Sequence, residues 1–139
     1  MRWWFGAALL LFPAGVLAGT ADVLEARVRC RPAPGGRPAS VCQFTVTVKH
    51  DDAGWDHYAN RFEIVGPTGK PLATRILRHP HVEEQPFTRS QGRVRIPHEI
   101  ESVEIRAGDL VHGLGGASVR VAVPHAAAGE RKPEPSPTP

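Results

Sequence analysis

The chain has 139 residues, enough for one domain. Its 17 Lys and Arg against 14 Asp and Glu give a formal charge of +3, with no basic block or aromatic-interleaved basic stripe, so nothing supports nucleic-acid binding. A hydrophobic content of 41% argues against a disordered chain, and 14 Gly with 14 Pro disfavour long helices and suit short strands.

Met1-Arg2 provides a positive start, and Trp3 to Phe12 is an apolar run. Pro13-Ala14-Gly15 breaks that run, and Val16-Leu17-Ala18 then places small or modest side chains where a signal peptidase reads. The pattern predicts a secretory signal peptide over residues 1–18, cleaved after Ala18. The apolar run falls short of the roughly 20 residues that cross a bilayer. The mature chain is therefore expected to have no membrane span and to be periplasmic or secreted.

A β domain is expected over residues 19–125. The first two strand-like runs are LEARVRC (24–30) and CQFTVTV (42–48). An antiparallel register that sets Cys30 opposite Cys42 also pairs Val28 with Phe44, Ala26 with Val46 and Leu24 with Val48. Arg27, Arg29, Gln43, Thr45 and Thr47 then fall on the other face. That register predicts a Cys30–Cys42 disulfide, which an oxidising compartment permits. Runs at 60–65, 72–77, 93–96, 102–107 and 117–123 alternate or carry β-branched residues, and Gly66-Pro67-Thr68-Gly69 reads as a hairpin turn. About seven strands in this length suggest an all-β, antiparallel immunoglobulin-like or fibronectin-like sandwich, with a small Greek-key barrel as the alternative. From 126 to 139 the sequence AAAGERKPEPSPTP reads as a disordered, Pro-rich tail.

Two long connections, 49–59 (KHDDAGWDHYA) and 78–91 (RHPHVEEQPFTRSQ), hold the unusual residues. Seven His in so short a chain are the compositional oddity, and imidazole is the commonest transition-metal ligand. In His79-Pro80-His81 the proline favours extended backbone, which puts both rings on one face. Asp51, Asp52, Asp56 and Glu83 read as solvated loop carboxylates. Trp55, Tyr58, Phe87 and Arg89 read as a binding surface, with core packing as the competing role for the aromatics. There is no GxSxG, P-loop, GxGxxG or HExxH, so the motifs assign no catalytic residue.

The segments WDHYANRFEIV, HPHVEEQPFTRS and AGDLVHGLGG resemble a group of small secreted bacterial proteins of no assigned function, over most of residues 41–123. His50 followed by His57-Tyr58, together with Asp109-Leu110-Val111-His112-Gly113, also resembles the immunoglobulin-like iron domain of superoxide reductases. That resemblance implies ligands His50, His57 and His112. Asp109 stands where those proteins have a Cys thiolate, and the strong sulfur donor is missing. The implied property is a His-lined pocket at one end of the sandwich, not the reductase activity.

Two functions follow as expectations. One is a transition-metal site (Fe, Cu, Zn or Ni) built from His50, His57 and His112 and completed by His79, His81 or Asp109. The other is a non-catalytic module that recognises another periplasmic protein through its long loops.

Overall fold

The computed structural model describes residues 19–125. The predicted signal peptide and Pro-rich tail lie outside the described residues. Seven strands form within them: β1 (Asp22–Pro32), β2 (Ala39–Lys49), β3 (Ala59–Val65), β4 (Pro71–Ile76), β5 (Phe87–Pro97), β6 (Ser102–Asp109) and β7 (Val119–Ala122). They make two antiparallel sheets, ordered β1-β2-β5 and β4-β3-β6-β7. The alternation that defines the strands also defines the core. Phe44, Val46 and Val48 on β2 face Phe62 and Ile64 on β3 and Ile105 on β6, all buried in one cluster. Among the described residues there is no helix long and apolar enough to cross a membrane.

The β1–β2 register follows the sequence pattern from Ala26↔Val46 through Cys30↔Cys42, and the Cys30–Cys42 disulfide is formed. One pair departs from it. A bulge between Val23 and Glu25 puts Val23, not Leu24, opposite Val48. The extra residue reverses the facing of the strand end, so Leu24 is 51% exposed and Val23 is buried.

β5 corrects a second expectation, because the connection from residue 78 ends at Phe87 and not at Gln91. A bulge opposite Cys42–Phe44 absorbs an extra residue, with Arg93 at φ 58°. Inward positions change phase there, from Phe87 before the bulge to Val94 and Ile96 after it. A strict period of two therefore finds only the second half of the strand. The outward hydroxyls pair across the strands, Thr47 with Thr88 at 2.9 Å and Thr45 with Ser90 at 3.2 Å. The Gly66–Gly69 turn closes β3 onto β4 as expected, with Gly69 at φ 81°.

Candidate metal centre

Three elements deliver side chains to one end of the sandwich. His50 follows the last residue of β2, His57 lies in the connection before β3, and Asp109 ends β6. The side chains of His50 and Asp109 are fully buried, and His57 is half-buried. One ligand atom from each of these three lies within 4.8 Å of the other two. His112, in the turn after β6, adds a fourth group, its Nδ1 3.1 Å from Asp109 Oδ1.

Local structure fixes each group. In the 53–57 turn the Ala53 N–H donates to the His57 carbonyl, and the His57 N–H donates to the Gly54 carbonyl. Gly54 sits at φ 127°, a conformation that favours glycine, and the turn carries His57 back toward β6. Asp109 Oδ1 accepts from the backbone N–H groups of His112 at 2.8 Å and Val111 at 2.9 Å. Burial alone would raise the Asp109 pKa. The His112 and Val111 N–H groups and the His112 ring outweigh it and hold the carboxyl below its ordinary range. Asp109 Oδ2 is buried with no hydrogen-bond donor.

Asp52 orients His50. Its Oδ1 lies 2.6 Å from His50 Nδ1 and accepts the Ala59 N–H, and its Oδ2 accepts the His81 N–H at 2.7 Å. With the carboxylate as acceptor, His50 Nδ1 carries the proton and Nε2 faces the cluster. An acidic residue behind an imidazole in this way is the usual second layer of a histidine metal site. Asp52 is thus a buried pivot and not the solvated loop carboxylate that the sequence suggests. Its backbone partners are Ala59, at the start of β3, and His81, 29 residues away in the second long connection, and no local pattern reveals the second.

Acceptors crowd the point of convergence. His50 Nε2 lies 3.0 Å from the Gly19 carbonyl oxygen. His57 Nε2 lies 3.2 Å from that same oxygen and 3.1 Å from Asp109 Oδ1. Neutral imidazoles cannot supply a donor to every one of these contacts. A second proton on His50 would supply the missing donor, and a cation among these atoms would serve instead. The group is one that could hold a metal ion, and imidazole with carboxylate suits Zn, Cu, Fe or Ni.

The remaining predicted residues lie elsewhere. His81 is buried behind Asp52, its Nδ1 3.9 Å from Asp52 Oδ2. Its ring stacks on Phe87 at 4.0 Å, and its Nε2 accepts from Arg89 at 2.8 Å. Burial, then Arg89 and His79, lower the His81 pKa against the opposing pull of Asp52. His79 is exposed, with its ring 4.5 Å from that of His81. Neither residue belongs to the cluster formed by His50, His57 and Asp109. Phe87, expected on a binding surface, is 1% exposed, because it opens β5 on the core-facing side. Arg89 is half-buried and already engaged by His81 and the Thr88 carbonyl. Trp55 is exposed at 67% and meets Tyr58 edge-on at 5.8 Å. Gln85 is a residue that sequence reasoning missed. Its Oε1 accepts the His50 N–H and its Nε2 donates to the His81 carbonyl, tying the second long connection to the end of β2.

Neither a family model nor a solved structure matches the chain. A protein of Halomicrobium mukohataei described as a "Putative lipoprotein" is 38% identical over 87 residues, which cover 63% of this chain. The chain spans 41% of the length of that relative. Both cysteines of this chain are joined in the disulfide.

Proposed function

We propose that the protein is a periplasmic or secreted, immunoglobulin-like β domain that binds a transition-metal ion. His50 Nε2, His57 Nε2 and a carboxylate oxygen of Asp109 are the inner donors, and His112 stands at the solvent side. The observation that carries this reading is the surplus of acceptors where those atoms meet, backed by Asp52 on His50. The orphaned Asp109 Oδ2 adds a buried charge that a cation would balance. A bound ion would supply Lewis acidity, or a redox centre if it is iron or copper. The chain itself holds the imidazoles in place, buries the carboxylates and leaves the His112 side open. The sheet order departs from the immunoglobulin constant arrangement only in pairing β4 with β3 instead of β5, which supports the fold reading. The disulfide and the lipoprotein relative support a location outside the cytoplasm.

Elemental analysis of tag-free protein purified from a periplasm tests the proposal, together with titration of the metal-free protein. Near-stoichiometric metal that survives dialysis is the expected result. Absence of metal with no saturable uptake below the micromolar range overturns it.

The second reading, recognition of a periplasmic protein, draws on exposed Trp55 and on exposed Leu110 and Val111 beside Asp109. The Leu110 N–H donates to the Tyr58 carbonyl, which places these apolar groups on one rim. A Trp55→Ala variant that loses a co-purifying protein while keeping metal affinity would favour it.

A further inference from the structure

We propose that Gly19 is part of the metal site, as the N-terminal residue left by cleavage after Ala18. Its α-amino nitrogen and carbonyl oxygen close a five-membered chelate on the ion held by His50, His57 and Asp109. This rests on the metal reading above and on the signal-peptide reading of residues 1–18.

The backbone atom at the convergence point is Gly19's own carbonyl oxygen, 3.0 Å from His50 Nε2 and 3.2 Å from His57 Nε2. A Cβ on Gly19 would lie 2.6 Å from His112 Cε1 and 3.3 Å from His57 Cε1. Those two rings therefore fill the space that a side chain on Gly19 would need. Its nitrogen is joined through Cα to the carbonyl that points at the imidazoles, so covalent geometry keeps it within a chelate's reach of an ion bound by that oxygen. Only glycine fits so close an approach.

The segment behind Gly19 is strapped down. Ala21 is fully buried, and the Val23 N–H donates to the Ala117 carbonyl at 2.8 Å. Asp22 Oδ1 accepts the Ala117 N–H at 2.7 Å. A Cβ on Gly116 would overlap the Ala21 carbonyl, so that contact is as close as backbone allows. These anchors lie two to four residues from Gly19 and leave its backbone little room to move away.

The chemistry depends on cleavage. In the precursor the Gly19 nitrogen is an amide, whose lone pair is delocalised and does not ligate. Cleavage turns it into an amine with an ordinary pKa of about 8. On coordination the ammonium releases one proton to solvent and gives its lone pair to the ion, as metal ligation generally requires. The full donor set then exists only in the exported, processed chain, so loading follows export.

The test compares three mature proteins: one beginning at Gly19, one retaining Ala18 before it, and one acetylated on the Gly19 amine. Intact mass of the periplasmic protein is expected to show a chain beginning at Gly19. Zn2+ affinity, read by competition with a chromophoric chelator, is expected to be at least tenfold weaker in the Ala18-extended and acetylated forms. The Cu2+ spin-resonance spectrum of those forms is expected to lose one nitrogen from its hyperfine pattern. His57→Ala weakens binding in all three. Equal affinities and spectra across the three, with His57→Ala still weakening them, overturn the role of Gly19 and leave the histidine site standing. A mature chain that begins elsewhere also overturns it. No binding by any form removes both readings.

Discussion

The two ends of the sandwich use histidine in opposite ways. Where β2 begins, His125 has one acceptor and one donor. Its Nε2–H donates to the Ile100 carbonyl at 2.7 Å, so its Nδ1 accepts from Ser40 Oγ at 2.8 Å. A neutral imidazole is fully satisfied there, and the His98 ring packs against it at 4.8 Å. Where β2 finishes, His50 has an acceptor at each nitrogen, and His57 Nε2 has two. The same side chain is thus a satisfied strut at one end and, at the other, a group whose nitrogens meet only acceptors. What separates the two roles is the kind of partner each nitrogen meets, more than burial, since His50 is more deeply buried than His125.

The largest expected effect breaks or upholds that contrast directly. His57→Ala combined with His112→Ala is expected to weaken Zn2+ binding by about a thousandfold, roughly 4 kcal/mol. His125→Ala is expected to leave the affinity unchanged. A chelator-competition titration of the three proteins reads this, and equal affinities would dissolve the distinction between the ends. Next in size is the covalent tie near the His125 end. Cys30→Ser with Cys42→Ser releases a short loop closed by a sequence separation of 12. It is expected to lower unfolding free energy by about 3 kcal/mol in a urea titration, with metal affinity untouched.

The role of Asp52 sharpens the comparison further. Asp52→Asn keeps the size of the side chain but removes the charge behind His50. Metal affinity is expected to fall by about 10- to 100-fold, the usual consequence of losing such a partner. A change below twofold would mean that His50 is oriented by packing alone. At the opposite end, Ser40→Ala removes the donor to His125 Nδ1. Its expected cost is about 1 kcal/mol of stability, seen as a shift in the urea midpoint with no change in metal affinity.

Much of the scaffold is legible in the sequence. Alternation placed seven runs, and the Cys30–Cys42 register carried Val28 and Ala26 to their partners. Both misplacements of strand, at Leu24 and at Phe87–Gln91, come from bulges, where one extra residue cancels the period on which the reading depends. The candidate ligands His50, His57, His112 and Asp109 were nameable because residue type and short spacing mark them. Their division from His79 and His81 was not, because Asp52 and Gln85 stand between the two groups through hydrogen bonds that join the two long connections, from His81 N–H to Asp52 and from His50 N–H to Gln85. Gly19 was invisible for another reason. A glycine carries no chemistry in a sequence, and only the fold shows two rings filling the space its side chain would need.

The smallest expected effect concerns His81, a buried histidine that belongs to neither pattern. Its Nε2 accepts from Arg89, which can only donate, so the proton sits on Nδ1. Burial, Arg89 and His79 all oppose a second proton, and the folded pKa lies below the ordinary 6.5. The unfolded chain accepts that proton near pH 6.5 while the folded chain does not. The unfolded state therefore binds more protons below that pH, and stability falls as pH drops from about 6.5 toward the folded value. Above pH 6.5 both states are neutral at this position and the contribution is flat. His81→Phe, which can keep the stacking on Phe87, removes this titration. The comparison is made on metal-free protein in excess chelator, so that loss of an ion does not mimic the effect. Between pH 7 and 5 the wild type is expected to lose more stability than the variant. Loss of the Arg89 hydrogen bond shifts the variant by a constant and does not change its slope. Parallel curves would show that the interior accommodates a charged His81, and that Arg89 does not hold it neutral.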